Sequence, residues 1–293
     1  MPLVSFTDLL AEARAGGYAV GYFEAWDGYS LDAVIRAAEL ERSPAIVGFG
    51  CLLVDQGWLD RGGIEILALT GRLAAEGSDA PVSLLLNEAH TLEHGLRGVE
   101  AGFGAVMLCT GDLEANAELV RASHARGVAV EAELGSLPDG DSRGRIDDSD
   151  AALTDPDAAA AFVAATGVDA LAVSIGNVHT LEGRAAPVDL ARLDAIRRAV
   201  EVPLVVHGGT SFPAEAVPAA IACGVAKFNA GTLLKRAYLD GLRASLGSSL
   251  PEQSPHDLVG SHREPDLALR ATGPVVERVR SLMRLYGSAG RAA

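Results

Sequence analysis

Residues 201–210 read EVPLVVHGGT, a short run of strand-forming residues followed by a histidine and a Gly-Gly turn. Similar apolar, strand-like segments recur along the chain, and helical windows separate them. Strands that alternate with helices predict parallel βαβ units, and eight such units close into a (β/α)8 barrel. The predicted strands are Ala19 to Phe23, Ala45 to Phe49, Val82 to Leu86, Ala105 to Leu108, Ala129 to Glu133, Ala170 to Ile175, Pro203 to His207 and Lys227 to Asn229.

The intervening windows carry helix signals. Asp155 is a capping candidate before a first-turn proline, Pro156. The polar stretch Leu137 to Asp150 predicts a loop over the active site, and the segment Ser248 to Ala293 predicts a C-terminal extension that is helical from about residue 274 to 285. The predicted helices are Ser30 to Glu41, Ile64 to Ala75, Leu113 to Arg126, Asp155 to Thr166, Leu190 to Val200 and Pro213 to Cys223.

Length and composition fit one barrel domain over residues 1–293. The chain is 49% hydrophobic, and a barrel with additions needs about 250 residues. We find no apolar run of about 20 residues and no signal peptide, so we expect a cytoplasmic protein without a membrane partner. The formal charge of −15 argues against nucleic acid as a partner. Cys51, Cys109 and Cys223 are too widely spaced for a thiolate zinc site.

Three histidines that follow predicted strands are candidates for one metal site. His90, His179 and His207 follow the third, sixth and seventh strands, and all strands of a parallel barrel end on one face. Neutral imidazole suits zinc, and three protein ligands leave a position open for substrate. Hydrogen-bonded structural histidines are the alternative. Their joint occurrence leads us to predict one Zn²⁺, or another divalent ion, per chain.

The turns after the last two predicted strands are candidates for a phosphate site. Small residues there allow amides at helix N-termini to approach an anion, and barrels commonly hold phosphate at this place. Two ordinary glycine turns are the alternative. The predicted cradle comprises Gly208, Gly209, Thr210, Gly231 and Thr232.

Many short blocks, in the same order, resemble the zinc-dependent class II fructose-bisphosphate and tagatose-bisphosphate aldolases. The resemblance covers nearly the whole chain. The blocks are AVGYF (19–23), SP (43–44), GFGAVM (102–107), VEAELG (130–135), TDP (154–156), TGVDALAV (166–173), GNVH (176–179), HGG (207–209), KFNAGT (227–232) and YGS (286–288).

The resemblance implies a TIM barrel that assembles as a homodimer or homotetramer. It implies aldol cleavage or condensation of a phosphorylated ketose or related sugar through a zinc-stabilised enediolate. His90, His179 and His207 take the places of the family's zinc ligands, and Glu133 takes that of an acid that binds metal in an alternative position.

Two further residues are assigned by the resemblance. Asn229 falls on a donor-contacting motif and is a candidate catalytic residue. Arg270 takes the place of an arginine that reaches a distal phosphate, across a subunit contact in some arrangements. The predicted phosphate cradle also falls on family motifs.

The chain departs from the family at the ends of strands. A family His-x-Asp-His corresponds to residues 87–90, so Ala89 takes the place of the proton-donating Asp. Glu24, at the end of the first strand, is our candidate for the replacement acid. Glu88 is a second catalytic candidate or a partner of a metal-bound histidine, although strand alternation points it away from the face of Asn87 and Ala89. Loss of the Asp predicts that fructose 1,6-bisphosphate is a poor substrate.

Two other classes of function remain open on the sequence. One is a metal-dependent isomerase, epimerase or other lyase on the same scaffold. The other is a relative that binds metal without catalysis. An assay for aldehyde release separates the aldolase from the isomerase.

Overall fold

Eight parallel strands close into a barrel at the centre of the computed structural model, which describes residues 3–147, 152–247 and 253–292. Around the barrel the strands are ordered β1-β10-β9-β8-β5-β4-β3-β2, and a separate antiparallel hairpin is formed by β6 and β7. The strands are β1 Val20–Glu24, β2 Ala45–Gly50, β3 Val82–Ala89, β4 Ala105–Leu108, β5 Ala129–Leu134, β6 Asp139–Gly140, β7 Ile146–Asp147, β8 Ala170–Val173, β9 Leu204–Val206 and β10 Val225–Ala230.

The predicted barrel is confirmed, since each predicted strand overlaps one barrel strand. The ends differ in two places that matter for the site. β3 continues to Ala89 instead of ending at Leu86, and β8 ends at Val173, before Ile175. Residues 87–89 are therefore part of β3, and residues 174–175 lie beyond the end of β8.

Helices surround the barrel. α7 has the expected start, because the Asp155 side chain accepts a hydrogen bond from the Ala158 amide and Pro156 occupies the first turn. The helices are α1 Phe6–Gly16, α2 Gly28–Glu41, α3 Gln56–Trp58, α4 Ile64–Glu76, α5 Leu92–Ala101, α6 Leu113–His124, α7 Pro156–Thr166, α8 Leu190–Ala199, α9 Val217–Ala222, α10 Thr232–Gly247, α11 Pro255–Leu258 and α12 Leu267–Leu285.

The C-terminal extension is helical, but its main helix is longer than predicted. α12 begins at Leu267 because the Asp266 side chain caps it, and Pro274 lies inside the helix. Parts of two predicted segments, residues 148–150 of the loop and 248–252 and 293 of the extension, lie outside the described residues. No helix among the described residues has the length and apolar character needed to span a membrane.

The barrel separates two apolar layers. On β3, Leu85 packs inside the barrel, whereas Leu84 and Leu86 pack against the helices outside it. Helix α1 joins the inner layer through Phe6 and Leu10, beside the residues at the starts of the strands. Burial of each such side chain contributes about 1.5–3 kcal/mol. The opposite end of the barrel is left for polar residues.

Candidate active site

An irregularity in β3 turns two adjacent side chains toward the open end of the barrel. Glu88 has a φ of 56°, and the pairing of β3 with β4 shifts register between Leu86 and Ala89. An extra residue of this kind breaks the alternation of side chains along a strand. Asn87 and Glu88 therefore both line the cavity at the barrel mouth, while Ala89 is buried in the outer layer. The expectations that Glu88 points away and that Ala89 holds an acid position are corrected.

Glu88 forms a cluster with two of the three predicted histidines. Its Oε1 lies 3.2 Å from His207 Nδ1 and 3.9 Å from His179 Nε2. One ligand atom from each residue lies within 4.8 Å of the others. A carboxylate and two imidazoles are a donor set suited to Zn²⁺ and to other first-row divalent ions.

Unpartnered atoms within the cluster also fit a metal ion. His179 Nε2 and Glu133 Oε2 are buried and have no hydrogen-bond partner. Glu133 Oε2 lies 3.3 Å from His207 Nδ1, although not in hydrogen-bonding geometry. Burial raises the pKa of Glu133, whereas the hydrogen bond and charge of His207 overcome burial and hold the pKa of Glu88 below its usual value. Glu133 thus lies beside His207, and its role as an alternative metal ligand stays a prediction.

His207 is held from below by a buried carboxylate. Its Nε2 donates to Glu131 Oε1 at 2.9 Å, which leaves Nδ1 directed at the cluster. Glu131 Oε2 in turn lies 2.8 Å from Lys227 Nζ, and this ammonium also donates to Asn229 Oδ1 at 2.6 Å. Burial would lower the pKa of His207, but the hydrogen bonds to Glu131 and Glu88 raise it to about 9. A carboxylate on the far nitrogen fixes the orientation of a metal-binding imidazole.

His90 does not join the cluster. Its Nε2 lies 2.8 Å from the Cys51 carbonyl oxygen, and its ring contacts the ring of His94. β3 ends at Ala89, so His90 lies beyond the strand. Glu88, two residues earlier, occupies the place that the sequence assigned to His90.

A cavity of about 440 Å³ lies above the cluster and contains the predicted acid Glu24. Glu24 forms an ion pair with Lys235, from the first turn of α10. Burial raises the pKa of Glu24, and the charge of Lys235 partly offsets this effect. Arg236, the next residue, binds Glu182 through two hydrogen bonds of 2.9 Å at the rim.

The predicted phosphate cradle is mostly at the cavity. Gly208, Thr210, Gly231 and Thr232 line it. Gly208 has a φ of 66°, and a side chain there would approach the Val178 carbonyl oxygen within 2.2 Å, so the turn requires glycine.

One member of the cradle has another role. The Gly209 amide donates to the Asn229 carbonyl at 3.0 Å, so it is not available to an anion, and the expectation for Gly209 is corrected.

The two remaining assignments differ in outcome. Asn229 lines the cavity, and because its Oδ1 accepts from Lys227, its amide nitrogen is the group left for a ligand. Arg270 lies on α12 and is not among the described residues that line the cavity. The predicted loop after β5 does reach the site, since Asp139 lines the cavity and the Gly140 amide donates to the His179 carbonyl at 2.7 Å.

Sequence reasoning missed several residues of the site. Glu131 and Lys227 are charged residues within otherwise apolar strands, each two positions before a predicted site residue, Glu133 or Asn229. That spacing places both members of a pair on one strand face and was a usable signal. Asn87, Tyr22 and Lys235 gave no comparable signal.

A parallel (β/α)8 barrel with polar and ionisable side chains gathered at one end of its strands defines the class of β/α-barrel enzymes, which place their active sites there. The profile of the class II fructose-bisphosphate aldolases matches residues 4–291. The fructose-bisphosphate aldolases of Thermus caldophilus and Geobacillus stearothermophilus are 34% and 32% identical to the chain, cover 99% and 100% of it, and are themselves covered completely. The crystal structure of the YdjI aldolase from Escherichia coli K12 superposes with a TM-score of 0.78 at 28% identity, covering 99% of this chain and 100% of that one.

The chain therefore belongs to the class II fructose-bisphosphate aldolase family. It is an aldolase, a lyase that breaks or forms a carbon–carbon bond to an aldehyde.

Proposed function

We propose that this aldolase is metal-dependent and acts on a phosphorylated ketose or a related phosphorylated sugar. The observation that carries the proposal is the convergence of Glu88, His179 and His207 on one point of the cavity floor, with Glu133 beside them. These residues would hold one divalent ion, and Zn²⁺ suits the donor set best. When bound, such an ion acts as a Lewis acid toward a carbonyl oxygen of the substrate.

The remaining chemistry is assigned to residues of the chain. Glu131 fixes the orientation of the His207 ring, and Lys227 balances the charge of Glu131. Glu24 is the candidate that takes up or returns a proton, because burial raises its pKa toward the range in which a carboxyl group does both.

The phosphate is expected at the start of α10. Thr232 begins this helix and lines the cavity together with Gly208 and Thr210 from the turn after β9, and a helix N-terminus favours an anion. Lys235 and Arg236 also line the cavity, each paired with a carboxylate, Glu24 or Glu182. They are the cations that could contact a substrate phosphate.

The test is an assay of aldehyde release over a panel of ketose mono- and bisphosphates, before and after removal of divalent ions. We expect cleavage of at least one ketose phosphate, loss of that activity with a chelator and recovery with Zn²⁺. Exchange of a carbon-bound proton of dihydroxyacetone phosphate in D₂O, followed by NMR, reports the donor half of the reaction alone. Full activity after complete metal removal, or conversion of sugar phosphates without an aldehyde product, would contradict the proposal.

Two properties remain predictions. Fructose 1,6-bisphosphate is expected to be a poor substrate, because the family's proton-donating Asp is missing from residues 87–90 and the uncharged Asn87 that lines the cavity cannot replace a carboxyl group in proton transfer. A homodimer or homotetramer is expected in solution and is checked by light scattering.

A further inference from the structure

Among the described residues, two buried polar atoms at the cavity, outside the cluster of Glu88, His179, His207 and Glu133, have no hydrogen-bond partner. They are the Tyr22 hydroxyl and Asn87 Oδ1, on residues that are 2% and 3% exposed. Both residues line the cavity. An unsatisfied buried polar atom costs about 1–3 kcal/mol, so its retention in a binding cavity points to a ligand group that satisfies it.

The strand between these residues leaves them a common space. β2 pairs with β1 on one side and with β3 on the other, and its last residues include Gly48 and Gly50. A side chain at Gly48 would lie 2.4 Å from Tyr22 Cε2, so the tyrosine ring occupies the room that this glycine leaves. Gly50 is in register with Asn87. β2 therefore places no side chain between Tyr22 and Asn87; the Glu24 carboxylate lies beside Gly50, and all three residues line the cavity.

Their chemistry is complementary for one kind of group. Burial, together with Glu24 and Glu88, raises the pKa of Tyr22 well above its usual value, so its hydroxyl remains a donor. Asn87 Oδ1 is an acceptor that carries no charge. A hydroxyl group accepts from the first and donates to the second, whereas a phosphate has no proton to offer Asn87 when fully ionised.

We propose that Tyr22 and Asn87 form a seat for a hydroxyl group of the aldehyde acceptor, next to the reacting carbonyl. The inference rests on the proposed function and adds the acceptor's recognition to it. Asn87 belongs to β3, which stands across the barrel from β9, and β9 leads into the proposed phosphate cradle. The cluster of Glu88, His179 and His207 lies between the two sides, so a donor held at the cradle presents its reactive carbon to an acceptor on the Asn87 side.

The experiment compares two aldehydes that differ by one hydroxyl. Condensation of dihydroxyacetone phosphate with glycolaldehyde and with acetaldehyde is measured for the metal-loaded natural protein. We expect kcat/KM to favour glycolaldehyde by about 10²-fold or more, because acetaldehyde leaves the two polar groups unpaired. Tyr22→Phe and Asn87→Leu should each reduce that preference to less than about 10-fold. The double variant should lose little more, since one hydroxyl contacts both residues.

The preference is a ratio within each variant, so a general loss of activity or metal cancels from it. Zinc content and thermal melting confirm that each variant is folded. Leu53→Ala, at a cavity-lining residue that is 78% exposed, is the matched control and should keep the preference of the natural protein.

The outcomes separate the two proposals. Equal kcat/KM for the two aldehydes, or an unchanged preference in Tyr22→Phe and Asn87→Leu, overturns the seat alone. Failure of both aldehydes to react while dihydroxyacetone phosphate still exchanges its proton also overturns the seat. Absence of that exchange in the natural protein overturns the proposed function, and the seat with it.

Discussion

Glu88 and His207 come from strands on opposite sides of the barrel, yet Glu88 Oε1 and His207 Nδ1 lie 3.2 Å apart. The contact is possible because the bulge at Glu88 directs the carboxylate across the mouth, while Glu131 holds the imidazole from below. The proposed metal ligands therefore meet near the barrel axis. Their distance depends on closure of the whole barrel and not on any one strand.

The first prediction distinguishes Glu88 from His90 as a metal ligand. Glu88→Ala and His179→Ala should each lower zinc occupancy strongly, because each removes a ligand from the cluster. His90→Ala should retain the zinc of the natural protein, since its ring is directed at the Cys51 carbonyl. Zinc per chain is measured by elemental analysis after dialysis. Retention by Glu88→Ala together with loss by His90→Ala would restore the three-histidine site.

The second prediction concerns the buried ion pair beneath His207. Lys227→Met should destabilise the fold by about 3–5 kcal/mol, because it removes the ammonium that balances the fully buried Glu131 carboxylate and leaves only its hydrogen bond with His207. Zinc affinity should fall about 10–100-fold, since Glu131 orients His207. Denaturant unfolding and zinc titration measure the two effects. Arg243→Met, at an exposed ion pair with Asp240, is the control and should cost no more than about 1 kcal/mol.

The third prediction couples Glu24 to Gly231. A Cβ at Gly231 would lie 2.0 Å from Glu24 Oε2, so Gly231→Ala must displace the carboxylate. Glu24→Gln should lower kcat by about 10²-fold or more without loss of zinc, if Glu24 moves the proton. Gly231→Ala should produce a similar loss. In a Glu24→Ala background, however, Gly231→Ala should add little, and fully additive losses in kcat would argue against the steric coupling.

The fourth prediction is a pH dependence of stability at the C-terminal helix. Asp266 caps α12 and accepts from the Tyr29 hydroxyl at 2.8 Å. Burial would raise the pKa of Asp266, but hydrogen bonds from the His262 amide, Tyr29 and the first turn of α12 lower it below 3.8. The stability that Asp266 contributes is therefore present above pH 4 and is lost as the pH falls through its lowered pKa.

Asp266→Ala should cost about 1–2 kcal/mol at neutral pH through loss of the cap. The cost should shrink as the pH falls below about 4, since the natural protein then loses the same interaction. Thermal melting of both proteins between pH 3 and 7 measures it. A cost that stays constant across this range would show that the carboxylate charge is not involved.

The fold could be predicted from local sequence patterns. Each strand of the barrel is an apolar run long enough to be recognised alone, and the cap at Asp155 depends only on its neighbours. The strand pattern also predicts that His179 and His207 lie at the same end of the barrel, because each follows a strand and all the strands of a parallel barrel end on one face. The sequence predicts that the C-terminal helix begins at about Pro274, because a proline usually marks a helix start. Its true cap, Asp266, is bound by Tyr29, which is distant in the chain, so local sequence does not reveal it.

The sequence by itself determined the eight βα units, the barrel and the family, since these depend on short-range periodicity and on blocks of residues in order. Only the tertiary structure decided which carboxylates and imidazoles meet. The irregularity of β3 at Glu88 brings this carboxylate to His179 and His207, whereas His90 contacts the Cys51 carbonyl, and the Glu131–Lys227 pair joins strands that are far apart in the chain. Such contacts form between residues that approach only when the barrel closes, so no local pattern encodes them.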